Sequence, residues 1–240
     1  MRVAVMTPTY NECDNVDAFL ARVQAAVPTA DIFFVDDNSP DGTGARVAEH
    51  AARQPRVHLI SRSGERGYAP ACREGLATLA AQGFDAIITI DCDLSHDPQV
   101  IPMMLGHLAQ GADVVVGSRY VAGGRVRNWS LGRRLLSRWA NTYTSLMLGV
   151  GVRDCTSGFR AYSGDVIRAG TIATTTSRGY AFLTEVLFRL RRRGDCDIVE
   201  VPIVYEERIA GESKMSKTII SESMRRVTAW GFSRLWRTGP

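Results

Sequence analysis

The sequence predicts an α/β fold, an open and mostly parallel sheet flanked by helices in a single domain. Three observations lead there. Short apolar runs rich in β-branched residues, at 2–6, 32–35 and 87–90, end abruptly in polar turns. The segments between them carry the amphipathic spacing of helices, the alternation expected of strand and helix units. A chain of 240 residues with 45% hydrophobic content is long enough for one large core and short for two. In open α/β sheets ligands bind past the carboxyl ends of the strands, so the polar loops starting at Thr7, Asp36 and Asp91 are expected to share one site.

Taken in order, the strand at 2–6 runs into Thr7-Pro8-Thr9-Tyr10-Asn11-Glu12, and Asp14 or Asn15 can cap a helix reaching Ala26. No glycine precedes Gly42, so the glycine-rich first turn of a dinucleotide-binding domain is missing and a nicotinamide-dependent dehydrogenase is disfavoured. The strand at 32–35 ends in Asp36-Asp37-Asn38-Ser39-Pro40-Asp41-Gly42-Thr43, a turn sequence leading into a helix. A third strand at 57–61 is followed by Gly64-Glu65-Arg66-Gly67 and a helix to Gln82. Those glycines admit either a close ligand approach or an ordinary turn.

The strand at 87–90 delivers Asp91-Cys92-Asp93-Leu94-Ser95-His96-Asp97-Pro98. Two carboxylates one residue apart repel when both are ionised, and a fold offsets that with a cation or with hydrogen bonds. Mg²⁺ or Mn²⁺ would answer, drawing further oxygen ligands from substrate phosphates and water. The alternative is a pair of ordinary loop acids. Asp97-Pro98 fits the start of the next helix, at 99–110. A buried strand at 113–117 ends in Ser118-Arg119-Tyr120, and the segment with Gly123, Gly124, Arg125 and Arg127 is expected to be a mobile basic loop.

From Arg133 the spacing Leu136, Ala140, Tyr143, Met147 predicts a helix with one apolar face. Arg133 and Arg134 in its first turn oppose the helix dipole, a conflict that an anionic partner would remove. The stretch Asp154-Cys155-Thr156-Ser157-Gly158-Phe159-Arg160-Ala161-Tyr162 would line an acceptor site or form a buried turn. In the helix at 179–193, Glu185 near Phe182, Val186 and Leu190 is either a satisfied buried acid or a site group. Pro202 in the strand at 199–204 favours a sheet edge. Residues 206–217 are polar and expected to be mobile. The tail at 218–237 is helical in character, with Ile220, Met224 and Val227 on a stripe and Trp interleaved with Arg, which suits a membrane interface or packing onto the domain equally.

The net charge of +4 is unevenly spread: six arginines and no acidic residue lie between Arg119 and Arg138, and seven Lys or Arg face two Glu between Arg208 and Arg237. Anionic partners are implied, without a choice among nucleotide, lipid phosphate, membrane and nucleic acid. No apolar run approaches the ~18 residues of a membrane span, and no signal-peptide pattern opens the sequence. Five scattered cysteines fit a reducing cytoplasm better than a disulfide framework. Phosphatases that use Asp-x-Asp after an amino-terminal strand are disfavoured, because Asp91 lies too late.

With these pieces in order the chain resembles the family 2, GT-A-type glycosyltransferases, and among them the dolichyl-phosphate and polyprenyl-phosphate mannose synthases. The resemblance spans nearly the whole chain. It rests on Pro8-Thr9-Tyr10-Asn11-Glu12, Asp36-Asp37-Asn38-Ser39-Pro40-Asp41-Gly42-Thr43, Asp91-Cys92-Asp93-Leu94-Ser95-His96, Gly117-Ser118-Arg119-Tyr120, Ser157-Gly158-Phe159-Arg160 and Gly211-Glu212-Ser213-Lys214. It implies a GT-A domain over 1–217 with a helical tail over 218–240. It implies that Pro8, Tyr10, Glu12, Val35 and Asp37 hold a guanosine, with Cys92 lining the same site, and that Asp91 contacts the sugar nucleotide. By the same resemblance Asp93 binds Mg²⁺ or Mn²⁺ with Ser95 as a further ligand, Arg119, Arg133, Arg208 and Lys214 grip phosphates, and Asp91, Asp93 and Arg119 are the catalytic group. Cys92 stands where relatives commonly carry Ala, and Ser95 where some carry Gln. The implied partners are GDP-mannose, a polyprenyl monophosphate and a membrane surface met from the cytoplasmic side, with no nucleic acid. Transfer of glucose or N-acetylglucosamine to a lipid phosphate and a non-catalytic nucleotide-binding module are the rival readings.

Overall fold

The computed structural model describes residues 1–206 and 217–236, and within the latter stretch the side chains of 223–233. In chain order the strands and helices are β1 (Val3–Thr9), α1 (Val16–Ala26), β2 (Asp31–Asp36), α2 (Thr43–Ala51), β3 (Val57–Ser61), α3 (Tyr68–Ala81), β4 (Ala86–Thr89), α4 (Ile101–Ala109) and β5 (Val114–Ser118). They continue with β6 (Arg125–Val126), α5 (Leu131–Leu148), β7 (Arg160–Ser163), α6 (Gly164–Arg168), α7 (Ala181–Arg193), β8 (Ile198–Pro202), β9 (Val204–Tyr205) and α8 (Lys217–Trp236). Seven strands form one sheet in the order β3-β2-β1-β4-β7-β5-β8. All pairings are parallel except those of β7, which runs antiparallel between β4 and β5. Parallel pairing needs helical crossovers, which cover both sheet faces and make the strands apolar on both sides.

Alternate residues accordingly serve two cores. Ala4, Met6, Phe33, Val35, Ile87, Val114 and Val116 pack on the side covered by α3, α6 and α7. Val5, Ile32, Phe34, Ile88 and Val115 pack on the opposite side, under α1 and α4. The predicted strands are all present, and Pro202 does lie in the edge strand β8. Strand β1 continues through Pro8 and Thr9, paired in register with Val35 and Asp36.

Four expectations need correction or a choice. The stretch at 154–162 is a buried turn leading into a central strand, β7. Arg160 in that strand is fully buried because its guanidinium donates to the carbonyls of Ser157, Leu183 and Cys155 at 2.8, 2.8 and 3.0 Å. The glycine-rich basic loop contains a regular element, since β6 pairs in parallel with β9 through backbone bonds such as Arg127 N–H to Tyr205 O at 2.8 Å. Glu185 is the satisfied buried acid: it accepts from the Thr176 and Ser177 amides and from Arg189 Nε at 2.7 Å. Helix α5 does not bury the predicted stripe as a unit, because Leu136 is 51% exposed while Asn141, Thr144 and Leu148 face the protein.

The described part of α8 packs onto the domain. Val227 is buried in the core, Trp230 stacks on Phe188 with ring centroids 6.0 Å apart, and Tyr143 of α5 hydrogen-bonds Thr228 at 2.8 Å. Arg208, Lys214 and the polar segment around them lie outside the described residues.

Gly75 on α3 shows how closely helix meets sheet. A Cβ there would collide with the Met6 side chain and come within 2.9 Å of Val35 Cγ2. Replacing it with Val overpacks this contact, so Gly75→Val is expected to lower unfolding stability by about 1–3 kcal/mol. Urea titration of the two proteins measures the difference.

Candidate active site

The sheet order places the ends of β2, β1 and β4 side by side, so the loops that follow them open on common ground. Register makes this concrete: Thr9 pairs with Asp36, and Ile90 N–H continues past β4 to Met6 O at 3.1 Å. A cavity of about 380 Å³ sits there, lined by Pro8, Tyr10, Glu12, Asp37, Asp91, Cys92 and Asp93 among the residues expected from the sequence. Other expected residues lie elsewhere. Val35 is wholly buried and its side chain belongs to the core beneath. Ser95, Arg119 and Arg133 stand outside the lining, and Arg208 and Lys214 outside the described residues.

Most of the acids at this edge are held by donors. Asp36 accepts from Thr9 Oγ1, Ser39 N and Ser39 Oγ at 3.0, 2.9 and 2.6 Å. Asp37 takes the Arg62 guanidinium and the Gly67 amide, the latter at 2.7 Å, so it ties the β3–α3 loop to the cavity wall. Gly67 has φ +136°, a conformation that side chains rarely adopt, and its N–H points back at Asp37. The glycine-bearing loop is thus part of the cavity. Asp93 accepts from Ser95 N at 3.1 Å and Ser95 Oγ at 2.6 Å. Ser95 is 98% buried, its relative exposure being 2%. It therefore orients Asp93 from behind. Burial pushes the Cys92 thiol well above its ordinary range, so it lines the cavity as a neutral group.

Beyond Asp93 lies a cationic and aromatic cluster. Arg119 forms a forked ion pair with fully buried Asp154, Nε to Oδ2 and Nη2 to Oδ1 both at 2.7 Å, and Nη2 also reaches Thr156 Oγ1 at 2.7 Å. Burial alone would raise the Asp154 carboxyl, but Arg119 holds it below the usual carboxylate range. No hydrogen bond among the described residues uses Arg119 Nη1, and the rings of Tyr120, Trp129 and Tyr205 surround the guanidinium at 5.4–5.7 Å. Arg133 joins this cluster, its guanidinium 4.2 Å from the Trp129 ring. His96 sits between Phe159 and Tyr205, each 5.3 Å away, with Nε2 3.8 Å from Asp91 Oδ2. Burial lowers its pKa to about 4, so the imidazole is neutral near pH 7.

Several lining residues were not singled out from the sequence as site residues, among them Arg66, Tyr68 and Tyr180. Arg66 faces Tyr10, and Tyr68 and Tyr180 stack on one another at 5.1 Å in the inner wall. Tyr68 immediately follows the Gly67 turn, a positional signal, whereas Tyr180 is brought in from 112 residues later with no local signal. Gly158 also matters: a Cβ on it would lie 2.6 Å from Tyr68 Oη and 3.5 Å from Asp91 Oδ1. Only a bare backbone passes beneath that pair.

The donor set suits a hard cation. Among the described residues no group of three or more His, Cys, Asp or Glu could hold an ion alone. Two carboxylates on an open cavity match an ion that completes its shell from substrate phosphates and water, as Mg²⁺ and Mn²⁺ do.

Comparisons with known proteins agree with this geometry. Residues 4–170 match Glycosyl transferase family 2. The undecaprenyl-phosphate mannosyltransferase of Micrococcus luteus is 41% identical over 98% of this chain and 96% of its own. The polyprenol monophosphomannose synthase of Mycolicibacterium smegmatis is 42% identical over 96% and 87%. In fold, the chain is similar to glucosyl-3-phosphoglycerate synthase from Mycobacterium tuberculosis, solved with Mn²⁺, uridine diphosphate and glucosyl-3-phosphoglycerate, with a TM-score of 0.68 at 21% identity, over 97% of this chain and 79% of that one.

The Arg119–Asp154 pair yields a stability test. Asp154→Asn leaves a buried guanidinium without its counter-charge and is expected to cost about 3–5 kcal/mol. Because Asp154 titrates below its unfolded value, that contribution is present above ~pH 4 and is lost as pH falls through the folded pKa. Denaturant curves for wild type and variant should diverge at pH 7 and converge in acid.

Proposed function

We propose, given that this chain belongs to glycosyl transferase family 2 and is an enzyme, that it transfers mannose from GDP-mannose to a polyprenyl monophosphate with inversion at the anomeric carbon. The product is a polyprenyl-phosphate β-mannose, with GDP released. The observation that carries this reading is the meeting of Pro8, Tyr10, Glu12, Asp37, Asp91 and Asp93 around one cavity at the strand ends. The names of the two relatives aligned over at least 96% of this chain supply the sugar and the acceptor class.

In this reading Tyr10, Glu12 and Asp37 hold the nucleoside, while Asp91 orients the sugar phosphate. Asp93, fixed by Ser95, would hold Mg²⁺ or Mn²⁺. Such an ion, when bound, neutralises the charge that develops on the departing diphosphate. The acceptor needs no strong base. A phosphate monoester has a second pKa near ~6, so near pH 7 its oxygen is already a nucleophile. A phosphate oxygen forms the new bond to the anomeric carbon as the bond to the diphosphate oxygen breaks, and no proton has to leave. What the protein supplies is position and charge. Arg119 Nη1 and Arg133, beside the aromatic cluster, lie where an incoming lipid phosphate would need cations, and Arg208 and Lys214 are proposed to join them. The enzyme would work as a peripheral protein at the cytoplasmic face of a membrane; among the described residues no helix is long and apolar enough to cross one.

Purified protein, a panel of nucleotide sugars, a polyprenyl phosphate and a divalent ion test the reading. Mannosyl lipid formed from GDP-mannose, lost on chelation, is the expected result; a preference for another nucleotide sugar would reassign the donor. Asp93→Asn is expected to reduce turnover by about 10²-fold or more while leaving thermal unfolding unchanged. His96, packed between rings beside Asp91, is assigned to ordering this loop. Its replacement by Ala should cost much less than the ~10²–10⁴-fold of a lost general base. Steady-state rates at saturating lipid phosphate distinguish the two, and a thousandfold loss would overturn the base-free mechanism.

A further inference from the structure

The cavity wall on either side of Gly67 has two different contacts. Arg66 lies over the Tyr10 ring at 5.5 Å, and Tyr10 belongs to the group given above to the nucleoside. Tyr68 meets other groups. Its hydroxyl and the Asp91 carboxylate both approach Gly158, where a Cβ would come within 2.6 Å of Tyr68 Oη and 3.5 Å of Asp91 Oδ1. Hydroxyl and carboxylate are therefore near neighbours over one bare stretch of backbone. Burial pushes the Tyr68 hydroxyl well above its ordinary range, so it keeps its proton and stands near Asp91 as a donor. Tyr180 stacks on Tyr68, with ring centroids 5.1 Å apart and planes inclined by 26°. No planar base can enter between rings so placed. What the pair offers a ligand is ring edge and hydroxyl close to a carboxylate, a mixture of apolar and hydrogen-bonding surface that suits a hexose.

We propose that Tyr68 and Tyr180 form the wall that receives the hexose of the nucleotide sugar, and that the Tyr68 hydroxyl, together with Asp91, selects which pattern of sugar hydroxyls is accepted. This rests on the glycosyl-transfer reading and deepens it by naming residues that choose the sugar. The placement follows from connectivity. Asp91 orients the sugar phosphate in that reading, and the hexose is bonded to this phosphate, so a wall near Asp91 meets the sugar rather than the base. Tyr10, Glu12 and Asp37 already furnish the nucleoside end. Apolar shape alone separates similar ligands weakly, whereas a site built to hydrogen-bond one hydroxyl rejects the analogue that lacks it.

The wall is held from behind by an acid that the transfer step does not use. Glu185, 1% exposed, accepts from the Thr176 and Ser177 amides at 3.0 and 2.8 Å, and Arg73 of α3 donates to Ser177 O at 2.8 Å. Arg178 O accepts from Ala69 N at 3.3 Å. The segment just before Tyr180 is thereby fastened to the first turn of α3, the turn that carries Tyr68. Glu185 is thus a positioning residue, which fixes where Tyr180 stands from outside the cavity lining. A wall set in place before the ligand arrives spends less ordering entropy on binding.

Calorimetric titration of the full chain with GDP-mannose and with GDP, in the presence of Mg²⁺ and without acceptor, separates this wall from the rest of the site. Tyr180→Ala is expected to weaken GDP-mannose about tenfold and GDP by less than about twofold. Glu185→Gln should move the ratio of the two affinities in the same direction, and an unchanged ratio overturns its positioning role. Tyr68→Phe removes a single oxygen and keeps the ring, so it remains informative if Tyr180→Ala unfolds. It should lower kcat/KM for GDP-mannose about tenfold and narrow the preference over GDP-glucose, with GDP affinity and thermal unfolding unchanged. Among GDP-deoxymannoses, the one lacking the hydroxyl that Tyr68 contacts should be insensitive to Tyr68→Phe, whereas a merely structural change would slow them all alike. Equal weakening of GDP and GDP-mannose in Tyr180→Ala, or unchanged sugar preference in Tyr68→Phe, overturns the proposal. If wild type prefers another nucleotide sugar, the donor assignment fails by itself, and the same comparison between that sugar nucleotide and its bare nucleotide tests the wall.

Discussion

Carboxylates brought together at one edge of a sheet repel one another, and much of the polar architecture here follows from that constraint. Asp36, Asp37, Asp91 and Asp93 all leave the ends of β2 and β4 toward the same region, and Asp154 lies buried a short way beyond. The fold answers with short-range donors: two hydroxyls and an amide for Asp36, a guanidinium and an amide for Asp37, a backbone and side-chain pair from Ser95 for Asp93. Asp154 receives the whole fork of Arg119. These contacts hold the carboxylates in fixed positions, an arrangement that suits an acidic edge built to receive a cation and the phosphates it accompanies.

The Arg119–Asp154 pair extends this order beyond the cavity. The amides of Arg153 and Asp154 donate to Glu200 of β8 at 2.8 and 2.9 Å, while Thr156 contacts Asn141 of α5. One buried pair thus links the end of β5, the turn before β7, the edge strand and helix α5. A phosphate arriving near Arg119 would meet a guanidinium already oriented by its partner. Much of the entropy that a free arginine loses on binding has been spent in folding.

What was legible in the sequence is what depends on neighbours in the chain. The strands at 32–35 and 57–61, their polar ends and the acids at Asp91 and Asp93 are local patterns, and the structure places them as read. Strand β7 was not legible, because Arg160 contradicts a central strand unless its donors are taken by two carbonyls of the turn just before it and one from α7. The β6–β9 pair is two residues long on each side and exists only through tertiary pairing. Tyr180 is in the same position, since only the packing of the α7 amino terminus against the β3–α3 loop brings it to the cavity. For α5 the periodicity was real but incomplete: Tyr143 and Met147 do pack inward, and a second apolar stripe lies on the side that the core does not use.

Backbone conformation explains how three different loops aim at one point. Asn11, Asn38 and Leu94 have φ of 58, 56 and 62°, and each directly follows a lining residue: Tyr10, Asp37 and Asp93. A left-handed residue there turns the chain sharply just past the strand, so the preceding side chain is left pointing over the sheet edge. Asparagine tolerates this conformation, whereas leucine pays roughly 1–2 kcal/mol for it. Leu94 is spanned by the Asp93–Ser95 hydrogen bonds on either side of it, which help to hold this turn. Strand order therefore sets where the functional side chains stand, and these turns set where they point. That division explains why Cys92, between the two acids, need only be small and neutral: the backbone around it already determines the geometry.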